Sequence, residues 1–435
     1  MFCQLEILRH CFPPSVRRIL EELPDSLDET YERILREIRK PNHGHAHRLL
    51  QCLVVSVRPL KVKELAEILA FDFNTEGIPE LNLSWRWEDQ EEAVMSACSS
   101  LIAIVKDGES RVVQFSHFSV KEFLTANRLA EPIRDVSHYH VQPDAAHMIL
   151  AQACLGVLLR LDDRVALQNI WNFPLALYAA EYWARHARFG NVSSRVKAGM
   201  ECLFDEDKPH FATWLWIYND DRPRSRLLTE SPKKPEAVPL YYAAGLGFRD
   251  LTERFIAKHP LHVNARGGRE VTAMHIAAKG GHVNILSLLL EHGANVDGQG
   301  DYGQTPLHRA SWSGEVDAGQ FLLDCGADIN ARDNNDWTPL FRAVFNGHVE
   351  FARMLIRRGA VINLRDMNGK SPLHLAVRSE EVQVVRLLLE HGADVNARNR
   401  HGQTPSQTLN EYTQSWQQQQ EIVELLSLYS ATPVQ

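Results

Sequence analysis

The sequence lacks most of the features that mark secreted, membrane-spanning or disulfide-linked proteins. Its seven cysteines, scattered from Cys3 to Cys325, are odd in number and form no CxxC pair, which suits buried thiols in a reducing compartment. The first ten residues contain Glu6 and Arg9 and no apolar core, so no signal peptide is predicted. The longest apolar run, Met148–Leu161, is too short to cross a bilayer. These absences predict a cytoplasmic protein that does not span a membrane.

Residues for nucleotide hydrolysis or nucleophilic catalysis are also missing. A phosphate loop needs the pattern G-x-x-x-x-G-K-[ST], but the triplet Gly369–Ser371 has Leu364 at the position of the first glycine. His117 would need a nucleophile and an orienting group to act as a base, and the neighbouring Ser116 and Ser119 are better explained as helix caps. We predict no catalytic residue, no cofactor and no enzyme activity.

Metal and nucleic-acid sites are weakly supported. His43, His45 and His47 alternate in a predicted loop, where an extended chain would place them on one side, but no fourth ligand is apparent. The net charge of −8 provides no general attraction to nucleic acid or anionic membranes. The predicted helix Lys61–Leu69 mixes basic and acidic side chains instead of presenting a basic face. We therefore predict neither a metal site nor a nucleic-acid partner.

A tetrapeptide motif that returns every 33 residues dominates the second half of the chain. It is Thr-Pro-Leu-His at 305–308, with related copies 33 residues before it and 33, 66 and 99 residues after it. Thr is a good helix N-cap, Pro suits the first helical turn, and the motif His can hydrogen-bond locally. A Gly-Ala pair keeps the same step. This is the ankyrin pattern, and it predicts about six stacked repeats over 233–430, the first and last degenerate.

Two residues depart from the repeat. Phe341 replaces the motif His, so the local hydrogen bond is lost in that copy. Glu380 stands where other copies have a glycine that ends the first helix in the left-handed conformation. Because a non-Gly residue held there costs roughly 1 kcal/mol, we expect the repeat that begins at Ser371 to be locally the least stable. The glycines at the equivalent position are Gly281, Gly314 and Gly347.

Residues 25–130 have the pattern of a winged-helix-like domain. An amphipathic helix with capping-box spacing at Ser26 and Glu29 comes first. The β-rich runs Leu101–Val105 and Arg111–Phe115 predict a hairpin. Several helices followed by a two-stranded wing are typical of this domain. The other predicted helices begin near His47, after Pro59, near Glu91 and near Ser119.

Residues 131–232 are predicted to form a helical domain and a linker. Apolar residues recur at helical spacing through Ile149–Leu159 and again through Leu177–Trp183. Prolines among charged and polar residues predict a linker over Asn219–Glu236. The predicted fold class is therefore mainly α: a winged-helix-like domain with a β-hairpin, a helical linker domain and an ankyrin repeat solenoid.

Several segments before the repeats resemble a known family. Leu23–Ile38, Arg58–Ala66 and Phe115–Leu124 are similar to the region that follows the nucleotide-binding core of fungal NACHT proteins, which are NLR-like signalling ATPases of the STAND class. The stretch Val141–Tyr218 resembles the helical segment that precedes their repeats. The resemblance implies that residues 1–24 are a remnant of the end of a NACHT domain. Since the phosphate loop of the family is missing here, the resemblance does not imply ATPase activity.

Partner contacts of ankyrin repeats come from the hairpin tips and the exposed face of each first helix. Aromatic residues and Arg are enriched at interface hot spots, and a stack places them at a regular pitch along one concave surface. The alternative is that one or two of the aromatics fill gaps between repeats and that the Arg residues are common turn residues. The predicted partner-binding residues are Tyr302, Trp312, Arg332, Trp337, Phe345, Arg365, Arg378 and Arg398.

The predicted function is protein–protein interaction or scaffolding. In this interpretation the chain is the sensor half of an NLR-like signalling protein and binds a protein partner on the concave face of its repeats. A first alternative is a part of an ATP-driven STAND switch whose nucleotide-binding half is missing from this chain. A second alternative is an ankyrin substrate adaptor of a larger enzyme complex. The identity of the partner and the oligomeric state are left open.

Overall fold

The computed structural model divides into two compact units, Met1–Lys234 and Pro235–Gln435. Both are built mainly from α-helices, which confirms the predicted fold class. No helix within the described ranges has the length and apolarity that a membrane span requires. The predicted NACHT remnant at 1–24 and nearly all of the predicted linker at 219–236 lie outside the described residues. The structure describes residues 26–74, 77–98, 100–131, 135–162, 170–218, 235, 237–267, 270–409 and 416–430.

The first unit opens with helices and a small antiparallel sheet in a winged-helix arrangement. The predicted hairpin is present as Ile102–Asp107 and Ser110–Phe115, with Gly108 in the turn at a φ of +56°. A short strand that we did not predict, Leu60–Lys61, pairs with the second hairpin strand and makes the sheet three-stranded. Two residues are too few to show a strand pattern in sequence. The helices here are Leu27–Glu37, His43–Val55, Val62–Ile68, Gln90–Cys98 and Phe118–Thr125.

The three alternating histidines lie on a helix, so their interpretation as a loop was wrong. The helix begins at His43 instead of near His47, and residues two apart on a helix point in different directions. His43 stacks on His138, with ring centroids 5.1 Å apart, and His47 Nε2 lies 3.3 Å from the carbonyl oxygen of His140. Among the described residues, no group of three or more His, Cys, Asp or Glu side chains has the geometry of a metal site.

The helix after the hairpin has a different N-cap from the predicted one. Helix Phe118–Thr125 begins one residue before Ser119, and its N-cap is His117, whose Nδ1 accepts the backbone N–H of Ser119 at 3.3 Å. The Ser119 hydroxyl lies 2.6 Å from the same nitrogen and 2.8 Å from the hydroxyl of Tyr31. His117 and Ser119 therefore fix this helix at its start and tie it to helix Leu27–Glu37.

Two buried carboxylates on helix Val62–Ile68 are used inside the protein. Glu64 accepts hydrogen bonds from the two terminal guanidinium nitrogens of Arg58, at 2.7 and 2.8 Å. Glu67 pairs with Arg86 and accepts the backbone N–H of Leu175 at 2.7 Å. Burial raises the pKa of Glu67, an effect that these partners oppose. The contact to Leu175 joins the winged-helix part to the helical segment that follows it.

The helical segment packs around large aromatic side chains. Trp183 and Trp214 are buried and meet edge to face, with centroids 5.8 Å apart. The buried ring of His186 lies between the hydroxyl of Tyr178 and the Nδ1 of His147, each at 2.9 Å. Burial lowers the pKa of His186 to about 3, so this ring is neutral. The helices are Pro143–Leu158, Ala176–Ala187, Val192–Arg195, Lys197–Leu203 and Pro209–Tyr218.

The second unit is a stack of helix pairs, one pair in each repeat. One apolar core runs from Leu240 in the first repeat to Leu426 in the last. The sixth repeat has a short 3-10 turn in place of its first helix, which fits a terminal cap. The pairs are Pro239–Gly245 with Arg249–Lys258, Ala273–Lys279 with Val283–Glu291, Pro306–Ser313 with Val316–Asp324, Pro339–Phe345 with Val349–Arg357, Pro372–Arg378 with Val382–Glu390, and Pro405–Thr408 with Trp416–Ser430.

Each motif histidine joins its own repeat to the next one. In the copy that begins at Thr305, His308 Nε2 lies 2.9 Å from the carbonyl oxygen of Trp337, 29 residues later. A carbonyl can only accept, so this nitrogen carries the proton and Nδ1 is an acceptor. It accepts the backbone N–H of Thr305 at 3.2 Å and faces the Thr305 hydroxyl at 2.9 Å. We call this arrangement the histidine link. The same contacts are made by His275 to Gln304 and by His374 to Gln403.

Both predicted departures have their expected local structure. Phe341 is fully buried, and Thr338 has no capping box in this repeat. Lys370 is the residue whose carbonyl would accept from a motif histidine at position 341. This carbonyl accepts the backbone N–H of Asp366 at 2.9 Å. Glu380 has a φ of +58°, whereas the glycine at the equivalent position of the preceding repeat, Gly347, has a φ of +69°.

Replacing the strained glutamate tests whether the left-handed position costs stability. Glu380→Gly should raise the free energy of unfolding of the array by about 0.5–1 kcal/mol, since the left-handed cost exceeds the extra entropy of a glycine in the unfolded chain. The control is Ser379→Gly, because Ser379 has a φ of −86° and gains nothing from glycine. Urea unfolding of both variants measures the difference. Equal free energies of unfolding of the two variants would contradict the claim that the left-handed conformation of Glu380 costs stability.

The histidine links should make the array sensitive to acid. Burial lowers the pKa of His275 and His308 to about 4, below the unfolded value of about 6.5. Their contribution to stability is therefore complete above pH 6.5 and is lost as the pH falls towards 4, up to about 3 kcal/mol for each histidine. The decrease in melting temperature between pH 6.5 and pH 4 should be smaller in the His275→Phe/His308→Phe variant than in the natural chain. The control His401→Gln replaces an exposed histidine, and its melting temperature should decrease over this pH range as much as that of the natural chain.

Candidate partner-binding surface of the repeat array

Four of the eight predicted partner-binding residues, Trp312, Trp337, Phe345 and Arg378, lie at three positions that recur in each repeat. Counted from the Thr or Ser cap, they are the residue before it and the fourth and seventh residues after it. In the central repeats these positions touch one another: the ring of Phe345 has its centroid 6.4 Å from that of Trp312 and 5.4 Å from that of Trp337. We call the set of these positions the inner face; Val271, Gln304, Arg342 and Leu375 are buried within it, and the other members are partly or fully exposed. Its residues, repeat by repeat, are Val271, Ile276 and Lys279; Gln304, Arg309 and Trp312; Trp337, Arg342 and Phe345; Lys370, Leu375 and Arg378.

Three aromatic side chains lie together in the middle of the inner face. Trp312 and Phe345 have 41% and 44% of their surface exposed, and Trp337 is half-buried. The ring of Trp337 stacks on buried Phe341, with centroids 6.0 Å apart. We call Trp312, Trp337 and Phe345 the aromatic platform. Large exposed rings in contact with one another make an apolar patch of the kind that marks binding sites.

A buried ion pair holds the aromatic platform in place. The guanidinium carbon of Arg342 lies 4.6 Å from the ring centroid of Trp337 and 5.6 Å from that of Trp312. Such cation–π contacts contribute about 1 kcal/mol each. Arg342 also pairs with the fully buried carboxylate of Asp333, which accepts the backbone N–H of Trp337 at 3.0 Å. One carboxylate therefore orients both the guanidinium between the rings and the backbone of Trp337.

Tyr302 lies at a hairpin tip in an unusual backbone conformation. Its φ is +58°, which is strained for an aromatic residue, and 61% of its surface is exposed. The backbone N–H of Asn334 in the next repeat donates to the Tyr302 carbonyl at 2.8 Å. Within the described array, no ring contact joins Tyr302 to the aromatic platform. Strain at an exposed aromatic residue is a reason to test it for function.

Three of the predicted arginines are engaged within the array. Arg332 forms an exposed ion pair with Asp336 at 3.3 Å. Arg365 donates to the carbonyl of Arg398 at 3.0 Å, and Arg398 donates to a carbonyl of its own turn. Arg378 is exposed on the inner face. The contacts of Arg332, Arg365 and Arg398 agree with the alternative that these arginines are turn residues. Partner binding by all eight predicted residues stays a prediction.

The sequence analysis missed Arg342 and Asp333, although both support the platform. They are nine residues apart, and although Asp366 and Arg309 stand at the equivalent positions of neighbouring repeats, only the third of the four motif copies from Thr272 to Ser371 has both residues of the pair. A signal was present, because the arginine directly follows Phe341, the residue that breaks the motif. A local departure from a repeat can therefore point to a residue with a specific role.

The first unit has a cleft lined by aromatic side chains. It has a volume of about 490 Å³ and is walled by the side chains of Trp87, Trp171 and Phe173. The guanidinium of Arg86 lies at its edge, 5.4 Å from the ring centroid of Phe173, and is held by Glu67. The lining is therefore mainly apolar; Arg86 and Glu67 are paired with each other, and Lys63 also lines the cleft.

Removing the buried carboxylate should destabilise the platform strongly. Asp333→Ala leaves the Arg342 charge buried without its partner, so we expect a loss of about 3–5 kcal/mol in the free energy of unfolding. Asp324→Ala is the control, because it removes an exposed ion pair with Arg358 and should cost less than about 1 kcal/mol. Chemical denaturation of the full chain measures both. A loss for Asp333→Ala no larger than that for Asp324→Ala would show that the pair does not hold the platform.

Comparisons with known proteins agree with this two-part architecture. The family described as ankyrin repeats (3 copies) matches residues 240–333 and 331–399. The family described as GPI inositol-deacylase, winged helix domain, matches residues 31–133. A curated relative, the azaphilone pigments biosynthesis cluster protein L of Monascus ruber, is 34% identical over 291 residues, which are 62% of this chain and 60% of the relative. The match thus covers less than two thirds of the relative's length. This chain joins a winged-helix domain similar to that of GPI inositol-deacylase to an array of ankyrin repeats.

Proposed function

We propose that this chain is a non-enzymatic interaction module whose ankyrin array captures a protein partner on the inner face. The observation that carries the proposal is the aromatic platform, where Trp312 and Phe345 are exposed in mutual contact and Trp312 lies against the guanidinium of Arg342. Covering such rings releases roughly 25 cal/mol for each Å² removed from water. Because the rings are already fixed, a partner would order few additional side chains on binding.

We further propose that the chain is the sensor half of a NACHT-type, NLR-like signalling protein of the cytoplasm. The order of its parts supports this: the winged-helix match at 31–133 precedes a helical segment, and the ankyrin match begins at residue 240. That order agrees with the resemblance of the sequence to fungal NACHT–ankyrin proteins. Capture by the repeats would be passed to a nucleotide-binding part outside this chain. Contacts such as Glu67 to Leu175 would couple the winged helix to the helical segment.

Two alternatives lead to different observations. A part of an ATP-driven STAND switch would be favoured by a transcript that continues upstream of the codon for Met1 and encodes a phosphate loop. A substrate adaptor would be favoured by co-purification of ligase or kinase subunits. The relative's name refers to a cluster for azaphilone pigment biosynthesis, so proteins of such clusters are one set of partners to test.

Affinity purification of the full chain, read by mass spectrometry, tests the interaction role. Trp312→Ala/Phe345→Ala should lose at least one protein that the natural chain captures, since both rings are exposed at the centre of the inner face. The control is Trp85→Ala/Trp416→Ala, which removes two tryptophans that are exposed by 48% and 78% and lie off the inner face. This control should retain the captured protein.

Folding must be checked in the same preparations. Circular dichroism should be unchanged in both double variants, and each should unfold in a cooperative thermal transition; Trp312→Ala/Phe345→Ala should unfold at a slightly lower temperature, because it loses the contact of Trp312 with Arg342. Loss of the captured protein from both variants, or from neither, would contradict binding through the aromatic platform.

A further inference from the structure

We propose that the inner face recognises an acidic peptide segment with large apolar side chains at its centre. This inference rests on the proposed protein-binding function and adds the chemistry of the partner. It follows from the distribution of charge, from the order of side chains along one row and from the fixed position of the aromatic platform. Each of these is a property of residues that the structure describes.

The charge of the inner face is opposite to that of the chain. The chain has a net charge of −8. Across the three inner-face positions of the four repeats from Thr272 to Ser371, there is no Asp or Glu. An acidic partner therefore meets a complementary surface, which favours both association and specificity. The partly or fully exposed cationic residues of the inner face are Lys279, Arg309, Lys370 and Arg378, whereas Arg342 is buried and paired with Asp333.

The order of side chains in one row predicts the order in the partner. The seventh residue after the cap is Lys279, Trp312, Phe345 and Arg378 in successive repeats, and all four are exposed. Cations therefore stand at the two ends of the row and aromatic rings in the middle. An extended or helical segment laid along this row would place apolar side chains on the rings and carboxylates at both ends. We call these four residues the recognition row.

The centre of the recognition row is already arranged for contact. Arg342 lies against the rings of Trp312 and Trp337 and is paired with Asp333, so its charge is neutralised beneath the platform. The exposed rings therefore offer apolar surface to a partner, whereas the full charges are offered at the ends. A platform fixed in this way loses little side-chain entropy on binding.

The same observations favour a peptide over single-stranded nucleic acid, which also combines negative charge with stacking. Binding of a strand needs a basic groove that follows its backbone. Here the central Arg342 is buried and paired with Asp333, so the row lacks a continuous line of exposed cations. Charge is thus concentrated at the ends of the row, which matches a short segment with acidic ends.

Synthetic peptides of about 12 residues test the inference with the full chain. The first has Asp and Glu at both ends and Leu, Phe and Trp at the centre. The second has Lys in place of every acid, and the third has Ser in place of every apolar residue. An oligonucleotide of deoxythymidine is the fourth probe. Fluorescence anisotropy should show binding of the first peptide at least tenfold tighter than that of the other three probes. Equal or tighter binding of any of them would overturn the inference.

Charge reversal at the ends of the recognition row gives the matched test. Lys279→Glu/Arg378→Glu should weaken binding of the acidic peptide at least tenfold, and more salt should weaken binding by the natural chain. The control is Lys258→Glu/Arg357→Glu, which makes the same change in net charge at exposed positions off the inner face. This control should bind within about twofold of the natural chain, as long-range effects are screened. Similar losses in both variants would overturn recognition by the row.

The outcomes separate this inference from the proposed function on which it rests. Suppose that cellular proteins are lost on Trp312→Ala/Phe345→Ala but are retained by Lys279→Glu/Arg378→Glu. The inner face would then bind protein, while recognition of acidic segments would be wrong. If neither double variant loses a captured protein, both proposals fail. Loss of the same protein from both variants supports both proposals.

Discussion

The array depends on one hydrogen-bonded connection that is repeated from copy to copy. In each histidine link the ring accepts the backbone N–H of its own cap and donates to a carbonyl of the next repeat, as His308 does to Trp337 at 2.9 Å. Both roles are possible only for the neutral ring with its proton on Nε2. Burial keeps the ring neutral by lowering its pKa. The loop and helix of one repeat are thereby fixed to the hairpin of the next, and this sets the positions of the inner-face residues.

The one motif copy from Thr272 to Ser371 that lacks the link is the copy that builds the aromatic platform. Phe341 cannot make the histidine contacts, and it stacks instead on Trp337. The next residue, Arg342, pairs with Asp333 and lies against two tryptophan rings. The repeat thus has aromatic packing and a buried ion pair where its neighbours have an imidazole. Natural sequences often break a local rule at functional positions, and we interpret this break in that way.

The sequence predicted the parts of the fold that follow a period or a turn rule. The 33-residue step predicted the stack, the left-handed position of Glu380 followed from the glycines of other repeats, and the β-rich runs Leu101–Val105 and Arg111–Phe115 predicted the hairpin. The two-residue strand Leu60–Lys61 was missed because its pairing is set by the distant hairpin. His117 was missed as a cap because histidine is not among the usual N-cap residues.

The candidate site was predicted less completely for a related reason. The aromatic residues could be found from their repeat positions, and two of them, Trp312 and Phe345, are exposed in mutual contact. Their support could not be found in this way, since only one repeat combines Asp333 with Arg342 and their pairing depends on three-dimensional packing. Local bonding of Arg332 at the hairpin tips was likewise visible only in the structure.

Amide hydrogen exchange of the full chain, with and without a saturating acidic peptide, tests the central claim most directly. The account predicts slower exchange at the hairpin tips and first helices that carry the platform, residues 302–313 and 335–346, with no change at the hairpin of residues 102–115. Slower exchange at 102–115 or in the second helices of the repeats, without a change in the two platform segments, would contradict the assignment of the inner face as the binding surface.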